Sequence, residues 1–187
     1  MIRLILALTS PLVLLAGCST LTVKSDYNPD YNYGRISTYA WLEGEKHSDD
    51  TRINNTLIIN RINNAINKEM AARGLEESTD GNPDIYVNWF GGIEDKIRQE
   101  TINHYYGNMW YGHPYGGYWP GYSQTYNVEY QEGTLIIDIL DGKSRDLIWR
   151  GTGQDYVDDD KKPEEITADI NEAVNRIMET FPPTSKK

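Results

Sequence analysis

Two rhythms of apolar residues run along this chain, one of period two and one of period three to four. Thr20 to Tyr27 alternates, with Leu21 and Val23 on one side, and reads as a first strand. Asn28-Pro29-Asp30 follows as a turn, and Thr38-Tyr39-Ala40-Trp41-Leu42, rich in aromatic and β-branched residues, as a second strand. The polar stretch Glu43 to Asp50 is a loop. The rhythm then changes. Ile53, Leu57, Ile58, Ile62, Ala65, Ile66 and Met70 recur at steps of three and four, which predicts a helix with one apolar stripe. Asp49 or Asp50 can cap it, and Gly74 stops it.

Period two returns after Pro83. Ile85, Val87 and Trp89 point one way, and Tyr86, Asn88 and Phe90 the other. The charged run Glu94 to Ile102 reads as an exposed continuation of this strand, with Tyr126 to Tyr130 re-entering the sheet. Thr134 to Leu140 is apolar at nearly every position, the pattern of a central strand buried on both faces. Asp141 to Asp146 is a turn, and Leu147-Ile148-Trp149-Arg150 returns as a hairpin. A second helix begins at Pro163, with Glu164 and Glu165 in its first turn. Ile166, Ile170, Ala173, Val174, Ile177 and Phe181 form its stripe, and Pro182-Pro183 ends it. Each one-faced helix needs a sheet face to bury it. The expected fold is therefore α+β, one domain over residues 21–182, with a mostly antiparallel sheet of about five or six strands and two helices packed on one face. Residues 183–187 are a tail.

The N-terminus changes the picture. Met1-Ile2-Arg3 carries one positive charge, and Leu4 to Leu15 is apolar but for Thr9, Ser10 and Pro11. That run is too short to cross a bilayer and has the size of a signal-peptide core. It ends at Leu15-Ala16-Gly17-Cys18, which resembles a bacterial lipobox. The resemblance implies a signal peptide over residues 1–17, cleavage after Gly17 and acylation of Cys18, with residues 18–20 as a short tether. Cys18 is the only cysteine, so with it acylated no thiol remains for a disulfide. No second apolar stretch approaches membrane-spanning length, which leaves lipid as the anchor.

The chain has 187 residues and a formal net charge of −10, with no basic cluster. Its surface repels nucleic acid and anionic headgroups, so nucleic acid is not an expected partner. One segment breaks this acidity. Residues 104–126 read HYYGNMWYGHPYGGYWPGYSQTY, with nine Tyr or Trp and five Gly among them. A long loop of this kind is usually functional or disordered. Trp110, Tyr111, Tyr115, Tyr118, Trp119 and Tyr122 are candidate contact residues. An envelope protein is the first expected partner, as Tyr and Trp often anchor such contacts. A lipid headgroup layer comes second and a glycan such as peptidoglycan third.

Few other residues suggest chemistry. His104 and His113 lie nine apart and His47 is remote, without the spacing of a zinc site, so exposed imidazoles are expected and no metal. Asp26, Asn28 and Asp30 mimic a calcium loop, but Tyr31 and Ser37 stand where Gly and Glu are required, and an Asx turn explains them better. Asp158-Asp159-Asp160 reads as a solvated loop. Asp138 sits in an apolar strand and needs a partner, for which Arg150 on the returning arm is placed. A structural ion pair is the expected reading. The alternative, a pair of catalytic carboxylates, is weakened because Asp141 faces the opposite side of a regular strand. No nucleotide loop or nucleophile elbow is present, and no cofactor or catalytic residue is expected.

Three signatures bring a family into view: Asp26-Tyr27-Asn28-Pro29 with Thr38-Tyr39-Ala40-Trp41, Glu132-Gly133-Thr134-Leu135-Ile136-Ile137-Asp138, and Leu147-Ile148-Trp149-Arg150-Gly151. With the lipobox and the Phe181-Pro182 ending, the chain resembles the bacterial envelope lipoproteins carrying domain of unknown function 4136, over roughly residues 20 to 182. The resemblance supplies no reaction. It implies a Gram-negative envelope protein, and Ser19 after the lipidated position implies the outer membrane, facing the periplasm. The expected function is a non-enzymatic structural or interaction module, with glycan binding as the alternative and a hydrolase third.

Overall fold

The computed structural model describes residues 20–44, 46–104 and 122–183. These form a six-stranded open sheet and two helices. The elements are β1 (Thr22–Tyr27), a short 3-10 turn (Tyr33–Arg35), β2 (Thr38–Trp41), α1 (Thr56–Ala72), β3 (Glu76–Glu77), β4 (Ile85–His104), β5 (Tyr122–Asp141), β6 (Leu147–Val157) and α2 (Pro163–Met178). Their order across the sheet is β1-β6-β5-β4-β2-β3. The β1–β6, β6–β5 and β5–β4 pairs are antiparallel. β2 runs parallel to both of its neighbours, β3 and β4. Parallel pairs need a crossover, and α1 supplies it. The two-residue β3 is too short to register as a pattern in the sequence.

Register places Ile85, Val87, Trp89, Ile137, Ile139 and Trp149 on one sheet face, all buried. Both helices lie on that face. From α1, Asn63 accepts from the Trp89 indole at 2.8 Å. One turn on, Asn67 accepts from the Tyr39 hydroxyl at 3.1 Å and from the Trp41 indole at 3.2 Å. An asparagine stripe thus satisfies the polar tips of buried aromatic side chains. α2 sits close to β6 because Gly151 and Gly153 present no side chains beneath it. A Cβ on Gly151 would meet Ile177 at 2.5 Å, and one on Gly153 would meet it at 2.8 Å. The Trp149-Arg150-Gly151 signature is therefore a packing device, with Trp149 against Phe181 at 5.2 Å between rings.

Two helix boundaries differ from the sequence expectation. α1 is capped by Asn55, whose side chain accepts from the N–H groups of Leu57 and Ile58. Asp50 instead closes a turn, accepting from the Arg52 N–H and forming a forked pair with its guanidinium. This local bond diverts the expected cap. Leu57, placed in the stripe by spacing, is 68% exposed in the first turn. The other end is as expected: Gly74 at φ +76°, with Leu75 N–H bonded to Met70 and Gly74 N–H to Ala71, is a Schellman stop. α2 ends at Met178, before Phe181. Arg73 holds the two helix ends together, donating to the carbonyls of Met178 and Phe181 and to the Glu69 carboxylate.

Candidate functional site

The Tyr/Trp/Gly-rich segment is carried by a ribbon rather than by a loop of the expected length. β4 and β5 are each 20 residues long and pair without a slip from Ile85–Asp141 to His104–Tyr122. The strand pairing thus reaches Tyr122, four residues earlier than the expected re-entry at Tyr126. Cross-strand pairs extend it: the Thr101 and Thr125 hydroxyls are 2.9 Å apart, and Lys96 pairs with Glu132. β6 accompanies β5 only to the Gln131–Val157 pair. Beyond it the ribbon is two strands wide, and at about 3.4 Å per residue it projects roughly 30 Å. Ile97 is 66% exposed on it, with Tyr126 and Tyr156 also exposed. Tyr130 packs edge-on against Tyr156 at 5.1 Å. Trp110, Tyr111, Tyr115, Tyr118, Trp119 and His113 lie outside the described residues, as do Gly17 and Cys18. Tyr122 and His104 are placed in the strands by their backbone alone.

Asp138 and Arg150 are brought together. They face each other across β5 and β6, and the guanidinium forks onto the carboxylate with two bonds of 2.6 Å. The pair lies on the sheet face away from the helices, in a row that runs Asn88, Asp138, Arg150, Asp26 across four strands. Asp138 is 5% exposed. The strand is thus not buried by helices on both faces. Its second apolar side is half-covered by its own neighbours, including Phe90 and Ile136.

The remaining carboxylates of interest serve turns. Asn28 accepts from the Asp30 N–H at 3.0 Å, an Asx turn, and Tyr31 reaches Asp141 at 2.8 Å. Asp141 is drawn down to about 2 by the backbone N–H of Ser144, against its burial, with help from the Tyr31 hydroxyl and the Lys143 N–H. Asp84 is held below the usual range by the N–H and hydroxyl groups of Ser37 and Thr38. Burial pushes the Tyr33 hydroxyl up to about 12, and it donates to the Ile148 carbonyl. Asp84 and Asp141 line a polar hollow of about 480 Å³ with Arg35, Tyr86, Lys143 and Arg145. The Arg145 guanidinium lies 3.4 Å above the Tyr86 ring. His47 is not an exposed imidazole. It stacks on Trp89 at 4.1 Å, and its Nδ1 donates to the Trp89 carbonyl at 2.9 Å, because the loop before α1 folds back over the sheet. No group of three or more metal-binding side chains converges among the described residues.

A second feature was not legible in the sequence. An apolar cleft of about 290 Å³ opens between α1, α2 and the sheet. Ile58 and Ile62 of α1 face Ile166, Ile170 and Ala173 of α2 across it. Its floor is the row Gly91, Leu135, Gly153, with Ile53 packed over Gly91 and Ile177 over Gly153. Leu21, ahead of β1, lines the same cleft, and the Thr20 hydroxyl donates to Asp155 on its rim. Because Asp155 pairs with Gly133, and Gly133 with Ile93, this is also the end of the sheet from which the ribbon departs. Leading segment, cleft and ribbon base therefore share one end of the molecule.

The fold is an α+β sheet with two helices on one face, extended by a projecting ribbon. The profile of the domain of unknown function DUF4136 matches residues 23–183, and the chain belongs to that family. No curated protein matches it. Among solved structures, a PDZ domain protein from Parabacteroides distasonis is similar at 15% identity and a TM-score of 0.55, over 89% of this chain and 37% of that one. The PelC dodecamer from Paraburkholderia phytofirmans is similar at 9% identity and a TM-score of 0.46, over 84% of this chain and 94% of that one. The first likeness is one of fold.

Proposed function

We propose that this protein is a lipid-anchored envelope module that acts by contact, held by an acylated Cys18 on the periplasmic side of the outer membrane. The observation that carries the reading is the shared end of the sheet. Leu21 is three residues from Cys18, a reach of about 10 Å at full extension. A lipid on Cys18 keeps that end of the domain against the leaflet, and the ribbon springs from the same end. Its tip is thereby delivered to the membrane surface or to a protein standing in it. Unpaired ribbon edges and charged side chains such as Arg98 and Glu100 oppose entry into hydrocarbon. An envelope protein is the favoured neighbour, recognised through the Tyr and Trp side chains of residues 105–121.

The test is a photoreactive residue at Tyr115 in living cells. A discrete crosslinked protein band is expected, dependent on Cys18. Crosslinks to phospholipid alone would replace the protein partner with the leaflet, and crosslinks to peptidoglycan strands would favour the glycan. A Cys18→Ala chain that still sits in the outer membrane and still crosslinks would remove the anchor from the reading.

A further inference from the structure

The apolar cleft is built to hold something that carries no charge. Its walls are isoleucines and Leu135 lies on its floor, so a flexible apolar chain fits it better than a polar ligand. The rim opposes an anionic headgroup. It carries Asp155, Asp158, Asp159 and Asp169 against Arg52 and Lys161. Both of those cations are already engaged, Arg52 by Asp50 and Lys161 by Asp169, each at 2.6 Å. A fatty acid or an anionic phospholipid would bring its negative charge to a negative mouth.

An acyl chain arriving on Cys18 meets no such cost, because its linkage to the protein is uncharged. Chain length supports the same source. Leu21 is part of the cleft wall, Thr20 is bonded to the rim, and the segment leading to Cys18 continues from there with a reach of about 10 Å. We propose that one acyl chain of Cys18 folds back into the cleft between α1 and α2 while the others remain in the leaflet. The lipid then fixes the orientation of the domain as well as its address. This rests on the lipid-anchor reading above.

The test uses the full chain in its own membranes. Cells are fed a fatty acid bearing a diazirine, the membranes are irradiated, and the protein is digested for mass spectrometry. The expected product joins the Cys18 lipid to peptides containing residues 53–62 or 166–173. Ala173→Phe, which fills the cleft, is expected to lower that product at least fivefold. Should Ala173→Phe fail to fold, the wild-type map alone decides. A Cys18 lipid joined only to phospholipids overturns the inference and leaves the anchor standing. So does a phospholipid or a second protein joined to the cleft peptides. An N-terminal peptide lacking any lipid mass overturns the anchor reading itself.

Discussion

β4 and β5 each pass through two environments, and the contrast divides the molecule. Their inner halves, residues 85–93 and 133–141, carry Val87, Trp89, Ile137 and Ile139 beneath two helices. Their outer halves, residues 94–104 and 122–132, are held by ion pairs, a threonine pair and edge-on tyrosines, with Ile97 bare. Hydrogen bonding continues unbroken along both. What changes is the packing on the faces. A two-stranded ribbon alone is marginal in water, so the outer half borrows its order from the inner half. Stability therefore resides in the inner half, and the proposed contact with a neighbour falls to the outer half.

The largest break in this contrast comes from β6. Gly151→Val places two methyls where Ile177 and Trp149 already sit, and is expected to cost about 3 kcal/mol or to prevent folding, read by urea melts. Asp138→Asn weakens the fork with Arg150 and is expected to cost about 1–2 kcal/mol. Melting and crosslinking from Tyr115 are measured together. Lost stability with crosslinking intact supports a structural pair, whereas intact melting with lost crosslinking assigns Asp138 to function.

Acid provides a third probe of the inner half. Asp141 is ordinarily at 3.8 and in the folded protein at about 2. Its ionised form is favoured by folding, so its contribution is complete above about pH 5 and is lost as pH falls through 3.8 toward 2. The loss is expected to be about 1–2 kcal/mol, and absent from Asp141→Asn, in melts taken across that window. The smallest effect on stability belongs to the ribbon. Ile97→Ser is expected to change melting by less than about 0.5 kcal/mol and yet to reduce crosslinking from Tyr115. A large stability loss there would erase the contrast.

Much of the inner half was legible because its signals are local and redundant. Alternation in Ile85 to Phe90, the spacing of Ile62, Ala65, Ile66 and Met70, and the Gly74 stop each specify one element, and all agree. The α1 cap was misplaced because Asp50 has an equally good local use in the Arg52 fork. The length of the ribbon was underestimated because polar strands lack the apolar alternation that marks a buried face. Asp138 and Arg150 could be paired from the hairpin alone, since its turn sets the register.

The sequence by itself determined the class of fold, its family and the apolar faces that must meet, because period, turn chemistry and signature residues are properties of neighbours along the chain. Only the tertiary structure decided that β2 runs parallel to β3 and β4, that Arg73 joins two helix ends, and that α1, α2 and the sheet leave a cleft beside Leu21. The same holds for the common end from which the leading segment and the ribbon depart. These are meetings of residues far apart in sequence. Their geometry depends on the register and stacking of whole elements, which no local pattern encodes.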